Sequence, residues 1–334
     1  MTPADAPPQD WSARTLAGHA GRGVAMGGAD IVPGVSGGTV ALILGIYPRL
    51  VSAVSRVDGT LFGHLKAGRI RDAAGHLDAA LLVPLMLGIL TGVAALGSVM
   101  HTLLEDHRQL TLAVFFGLIA ASGVFVAKLV EKWTAAAAAL VCVGLVVGYV
   151  LAGLALLSTP PSGLWYVFLC GAIGICAMIL PGVSGAFLLL MLGKYHEITG
   201  LIKSALKFDL SGGDVLTLAV FGCGVVVGIL SFSKLLKWLL AKAPDATLAF
   251  LCGLMLGSLR KLWPFQRELT AGEDLEYKDR VFENVPVTEV TVDGAVWLTV
   301  LLAAAGAAVV LGLDWLAGHR EEEQVEAMAE EPHA

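Results

Sequence analysis

The chain has 334 residues, of which 56% are hydrophobic and 15% charged, against roughly 25% charged in a soluble domain, so a water-soluble fold would lack polar cover. Its formal charge of -6 comes largely from the tail Glu321, Glu322, Glu323, Glu326, Glu330, Glu331 and the acidic stretch after Arg267, which argues against nucleic-acid binding. The five cysteines, Cys142, Cys170, Cys176, Cys223 and Cys252, sit in apolar segments without the spacing of a disulfide or metal framework.

Residues 1–10 form a polar, proline-rich tail without the apolar run of a cleavable signal peptide, so the start of the chain is expected to be retained and cytoplasmic. Ile31 to Tyr47 is apolar but interrupted by Pro and Gly, leaving pieces mostly too short to cross a bilayer; a re-entrant hairpin is expected, with a kinked helix as the alternative. Ala79 to Met100, Leu110 to Val130 and Ala135 to Leu157 each approach the roughly 20 residues of a spanning helix. Leu164 to Leu192 repeats the broken pattern of the first stretch. Val215 to Ser233, Ala246 to Leu259 and Ala295 to Leu316 supply three further spans, the second expected to run past its apolar core. The expectation is an all-α polytopic membrane protein with about six transmembrane helices and two re-entrant helical hairpins.

The two halves resemble each other. AMGGADIVPGVSGGTVALILGIY pairs with GAIGICAMILPGVSGAFLLLMLGKY, setting Gly45 opposite Gly193 and Tyr47 opposite Tyr195. LTLAVFFGLIAAS pairs with ATLAFLCGLMLGS, and Gly88 and Gly92 pair with Gly224 and Gly228. Residues 11–157 and 158–317 therefore read as two membrane repeats, followed by an acidic tail over 318–334. A hairpin plus three crossings per half is an odd number, which turns the second half upside down relative to the first. Basic residues at Arg49, Arg56, Lys66, Arg69 and Arg71, at Lys128 and Lys132, and at Lys234, Lys237 and Lys242 fall on the cytoplasmic side of that arrangement, with both termini. Lys194, Lys203, Lys207 and the 260–293 loop put basic residues outside as well, and Lys194 with Glu197 reads as a solvated headgroup-level group. The GxxxG spacing of Gly88/Gly92, Gly224/Gly228, Gly144/Gly148 and Gly253/Gly257 is best explained by helix packing.

The chemistry concentrates in PGVSG, at Pro33, Gly34, Val35, Ser36 and Gly37 and again at Pro181, Gly182, Val183, Ser184 and Gly185. Proline at the first turn of a helix loses a donor that would be unpaired anyway, and glycines let other atoms approach the exposed N–H groups. Such a helix start favours an anion, with Ser36, Thr39 and Ser184 adding hydroxyl donors. The competing reading is close packing with serines that cap their own backbone. Asp30 precedes the first turn where Met178 precedes the second, so the halves differ chemically. An intramembrane acid is a candidate coupling site for a proton or sodium ion; its structural alternatives are a helix cap or a partner for Arg22. Arg22 and Arg49 flank the first hairpin and could hold a phosphate, although Arg49 could equally be a cytoplasmic anchor. GVSGGT lacks a P-loop lysine, and no DDxxD-type metal cluster or paired Arg/His phosphatase constellation is present, so no nucleotide, cofactor or metal is expected.

At GRGVAMGGADIVPGVSGGTVALILGIYPRL, residues 21–50, echoed by LPGVSGAFLLLMLGKY, the chain resembles the polyprenyl-phosphate translocase family known as PopT, over about residues 15–317. The resemblance implies a carrier in the bacterial cytoplasmic membrane that returns undecaprenyl phosphate from the outer to the inner leaflet for cell-wall synthesis. On that reading the turns meet near mid-membrane, with Gly34, Gly37, Gly182 and Gly185 admitting the phosphate and Gly38 a further substrate-binding candidate of the first turn alone. The first turn would carry selectivity and coupling, and the second would complete the cradle. An ion-coupled carrier of a small soluble anion, a passive channel and a membrane enzyme acting on prenyl phosphates are the alternatives.

Overall fold

The structure, a computed structural model, describes residues 10–32, 35–154, 157, 160–207, 209–270 and 280–330, with side chains up to residue 312 and without that of residue 206. It is an all-α polytopic membrane protein whose first half comprises α1 (Ala13–Asp30), α2 (Gly37–Ile43), α3 (Tyr47–Ser55), α4 (Gly59–Lys66), α5 (Ile70–His76), α6 (Ala79–Asp106), α7 (Arg108–Lys128) and α8 (Ala135–Ala152). The second comprises α9 (Leu164–Ile179), α10 (Gly185–Met191), α11 (Tyr195–Leu206), α12 (Gly212–Lys242), α13 (Pro244–Ser258), a short antiparallel pair β1 (Gln266–Glu268) and β2 (Phe282–Asn284), and α14 (Gly294–Glu330). Among the described residues five helices are long and apolar enough to cross a membrane: α6, α7, α8, α12 and Gly294–Gly312 of α14.

Two expectations from the sequence are corrected. The broken stretch does not begin at Ile31: an 18-residue helix already leads into it, started by Ser12, whose hydroxyl accepts the Thr15 N–H. Arg14, His19 and Arg22 dilute its hydropathy, which hid it. The span from Ala246 does not run past Leu259. α13 stops after 15 residues, about 22 Å at 1.5 Å per residue, because the chain tightens into i→i−3 bonds from Arg260 to Gly257, Lys261 to Ser258 and Leu262 to Leu259, ahead of Pro264.

Helix pairing is set by glycines. A Cβ at Gly23 would collide with the Leu85 carbonyl oxygen, one at Gly88 with that of Ala20, and one at Gly92 with that of Val24, so α1 and α6 touch backbone to backbone. Gly224 against Phe168 and Gly228 against Ala172 join α9 to α12 in the same way. Gly117 against Ala303 and Gly306 against Val114 join α7 to α14, while Gly144 against Phe250 and Gly253 against Val141 join α8 to α13. The contact positions rise together along both chains in α1–α6 and α9–α12, in α8–α13, where Gly144 meets Phe250 and Gly148 meets Leu254, and in α7–α14, where Gln109 donates to Thr299 and Val114 meets Gly306, so the partners run parallel. Lipid offers hydrocarbon no reason to leave it, so this close approach is what holds such helices together. Gly88→Val should lower stability by about 1–3 kcal/mol, whereas Gly97→Val, with nothing within 4 Å on the same helix, should be neutral; equal melting temperatures for the two variants in detergent would exclude this packing.

The outer surface is apolar, and exposed tryptophans mark the helix ends: Trp11 just before α1, Trp133 in the α7–α8 link, Trp238 near the end of α12, and Trp165 and Trp297 at the starts of α9 and α14. Inside, Val32, Val35 and Tyr47 from the first hairpin pack with Leu112, Ile119, Leu251 and Met255 of α7 and α13. Lys194 is buried and paired with Glu197, so it is not the solvated headgroup-level residue the sequence suggests; Gly193, at φ +69°, folds that turn inward. Gly45 occupies the corresponding place in the first half at φ +68°.

Candidate functional site

Each PGVSG turn leads into a seven-residue helix starting at its last glycine, capped by Ser36 in α2 and by Ser184 in α10. Pro33 and Gly34 lie outside the described residues. Among the described residues the first turn is closed upon itself. The Gly37 N–H donates to the Asp30 carboxylate at 2.6 Å, the Gly38 N–H donates to Ser36 Oγ at 3.1 Å, and the Thr39 N–H donates to the Ser36 carbonyl at 2.9 Å. Asp30 therefore caps a helix start across the turn, where a carboxylate meets the positive end of the peptide dipoles. These donors, expected from the sequence to await an anion, are already satisfied.

The two turns meet. The Gly182 N–H donates to Thr39 Oγ1 at 2.8 Å, Ser36 Oγ donates to the Met178 carbonyl at 3.1 Å, and the Tyr47 hydroxyl donates to the Ile179 carbonyl at 3.0 Å. The last carbonyls of α9 lack helical partners of their own, and the first hairpin supplies them. Gly38 makes this possible, since a Cβ there would stand 2.7 Å from the Ile179 carbonyl oxygen. Gly185 does the same against Gly174 and Met178. Val35, Pro181 and Val183 are buried and pack the seam. Thr39 has no exposed surface. Thr39→Val keeps its shape but strands the Gly182 N–H, which costs about 1–3 kcal/mol; a melting temperature equal to that of the native protein would mean that this bond is not made.

The second turn is the open one. Ser184 Oγ accepts the Phe187 N–H at 3.3 Å, and among the described residues no acceptor is assigned to its own hydroxyl hydrogen or to the Gly185 and Ala186 N–H groups. Ser184 lines a small cavity of about 20 Å³ with Gly148, Leu151, Gly182, Phe187, Ser258 and Lys261, room for about one water molecule. The Lys261 ammonium lies 4.2 Å from the centre of the Phe187 ring, a cation held against an aromatic face. Arg108 and Arg260 act on it electrostatically, but both are engaged: Arg108 donates to Gln266, and Arg260 donates to the Tyr149 carbonyl and stacks on its ring. Lys261 is 76 residues beyond Gly185 in a mixed-charge loop, and no local signal in the sequence points to it.

Arg22 and Arg49 are not at the turns. Arg22 precedes Asp30 by eight residues, about 12 Å along the helix, and its Nη1 lies 3.1 Å from His19 Nδ1, one turn farther away. This also removes Arg22 as the partner of Asp30. Arg49 makes a two-pronged ion pair with buried Asp78, Nε to Oδ2 at 2.7 Å and Nη2 to Oδ1 at 2.9 Å, fastening α3 to the start of α6.

The family model described as VCA0040-like, undecaprenyl phosphate translocase-like, matches residues 26–277. A polyprenyl-phosphate transporter of Vibrio cholerae is 38% identical over 299 residues, covering 88% of this chain and 94% of that protein. A polyprenyl-phosphate transporter of Staphylococcus aureus is 31% identical over 255 residues, covering 73% and 84%. No solved structure matches.

Proposed function

Because the chain belongs to the undecaprenyl phosphate translocase-like family, we propose that it is a carrier, not an enzyme, that moves a polyprenyl phosphate, undecaprenyl phosphate in the cell, from the outer to the cytoplasmic leaflet of the bacterial inner membrane. The observation that carries this reading is the second turn: the Ser184 hydroxyl and the Lys261 ammonium line one small cavity at the start of α10. A phosphate moved bare through hydrocarbon would face a cost of tens of kcal/mol, so fixed donors must replace its water. The cavity is too small for the headgroup as it stands, which makes this a closed state; the isoprenoid tail stays in lipid while the headgroup enters.

The parallel pairs α1–α6, α9–α12, α7–α14 and α8–α13 support an inverted repeat, since each joins helices that start on one side of the membrane when the second half is upside down. The tryptophans agree: Trp11, Trp133 and Trp238 fall on the cytoplasmic side of that topology, and Trp165 and Trp297 on the other. Both termini are then cytoplasmic, with α1–α2 and α9–α10 as the re-entrant arms. The products of this transport feed polysaccharide assembly in the cell envelope.

Inward movement of an anion works against about 2.3 kcal/mol per charge for each 100 mV of potential. We assign a coupling proton, or a sodium ion, to Asp30. Protonation there removes a negative charge close to the turns that receive the phosphate and weakens the cap on Gly37, loosening the first hairpin. In proteoliposomes with leaflet-resolved polyprenyl phosphate and an imposed proton or sodium gradient, the native protein should flip the lipid in a saturable, gradient-dependent way without releasing inorganic phosphate. Unsaturable flux, phosphate release or transport of free phosphate alone would each refute the carrier. Asp30→Asn keeps an oxygen for the Gly37 N–H and should flip without gradient dependence; full retention of that dependence would remove Asp30 from the coupling role.

A further inference from the structure

We propose that His19, Arg22 and Arg49 form a second phosphate station, on the face of the molecule opposite Lys261, where the lipid headgroup docks on the other side of the transport step. The inference rests on the carrier reading above and adds to it a residue, His19, and a place. His19 is 3% exposed and its Nε2 has no hydrogen-bond partner. Arg22 can only donate, so the contact of its Nη1 with His19 Nδ1 at 3.1 Å makes Nδ1 the acceptor and puts the imidazole proton on Nε2. A buried N–H donor is thus left waiting for an acceptor, which native proteins rarely tolerate unless something supplies it.

The surroundings suit a phosphate oxygen. Arg22 spends one of its five donors on His19. Arg49 spends Nε and Nη2 on Asp78, which holds its planar group in a fixed orientation. Arg49 and Asp78 both lie close enough to act on His19 electrostatically. The acids in reach are Asp78 and Asp10; the first is committed to Arg49 and the second to Ser12 and Thr15. Guanidinium groups with an N–H beside them are a standard cradle for phosphate oxygens.

The station lies far from the first cavity. α6, α7 and α8 run forward, back and forward with short links, so the start of α6, where Asp78 and His19 sit, and the end of α8, where Lys261 sits, lie on opposite faces. Duplication alone does not account for it: the alignment of the halves sets Val167 opposite His19, Cys170 opposite Arg22 and Glu197 opposite Arg49.

The test is a stoichiometric titration of the full chain in phosphatidylcholine nanodiscs with farnesyl phosphate, and separately with inorganic phosphate. The native protein should bind two equivalents of farnesyl phosphate. His19→Phe and Arg22→Gln should each weaken one class of site at least tenfold, while Lys261→Met weakens the other. Should His19→Phe fail to fold, Arg22→Gln, at a half-buried position, decides alone. Displacement by inorganic phosphate at the His19 class would identify the headgroup alone as what is recognised; binding of farnesyl phosphate without competition would identify the lipid form, and either result supports the station. Two equivalents bound by Arg22→Gln with native affinity overturns it. A single native equivalent abolished by Lys261→Met alone overturns it while leaving the carrier reading intact, and no binding by the native protein overturns both.

Discussion

Lys261→Met is expected to slow polyprenyl phosphate flipping about 10- to 100-fold while leaving the melting temperature unchanged or slightly raised. The ammonium contacts the Phe187 ring and lines the cavity at the second turn, so its removal leaves no carboxylate stranded. A charge-assisted hydrogen bond to a phosphate contributes about 1.5–3 kcal/mol, and each 1.4 kcal/mol is tenfold. Lys261→Arg should recover part of the rate, since it keeps the charge but not the compact shape that fits against Phe187. Initial rates in proteoliposomes check this. A Lys261→Met rate within twofold of native would move the phosphate site elsewhere.

Gly182→Ala should be the more damaging change to the fold. Gly182 sits at φ +83°, where an L side chain costs roughly 1–2 kcal/mol. Its added Cβ would stand 2.8 Å from Met255 Cα and 3.0 Å from Ser258 Oγ, and crowding of this kind adds about 1–3 kcal/mol. Its N–H also makes the bond to Thr39 that joins the two turns, so a shift to relieve the clash opens the seam. The expected loss is about 2–5 kcal/mol on these figures, read as a fall in melting temperature and in purified yield, with flipping abolished. A stable, fully active Gly182→Ala protein would show that the turns need not meet as described. Sequence symmetry makes Gly34 the counterpart of Gly182 and assigns the first turn the larger part in selectivity; the hydrogen bonds point the other way, with the first turn capped by Asp30 and Ser36 and the second left open toward Lys261.

Much of the architecture was legible along the chain because its determinants are local. Length and hydropathy identify α6, α7, α8, α12 and α14, and the spacing of Gly88, Gly92, Gly144, Gly148, Gly224, Gly228, Gly253 and Gly257 identifies the faces that touch. Ser36 and Ser184 announce helix starts through the same short-range geometry that caps them in the structure. α1 was harder to read because three basic or imidazole side chains interrupt its apolar face, and α13 because nothing in its hydropathy marks where i→i−4 bonding tightens.

The assignment of partners to the charged groups was not legible, because a partner is chosen in three dimensions and the helix axis separates residues that are neighbours in sequence. Arg22 and Asp30 share a helix, yet about two turns keep them apart, and Arg22 faces His19 instead. Arg49 finds Asp78 across 29 positions. Thr39 finds Gly182 across 143. By itself the sequence determined a duplicated, lipid-embedded helical chain with two helix-starting turns, since hydropathy and caps act within a few residues. Only the tertiary structure decided which turn keeps its donors free, which cation stands beside it and which buried histidine lacks an acceptor, because each depends on how distant segments satisfy one another's unpaired polar groups.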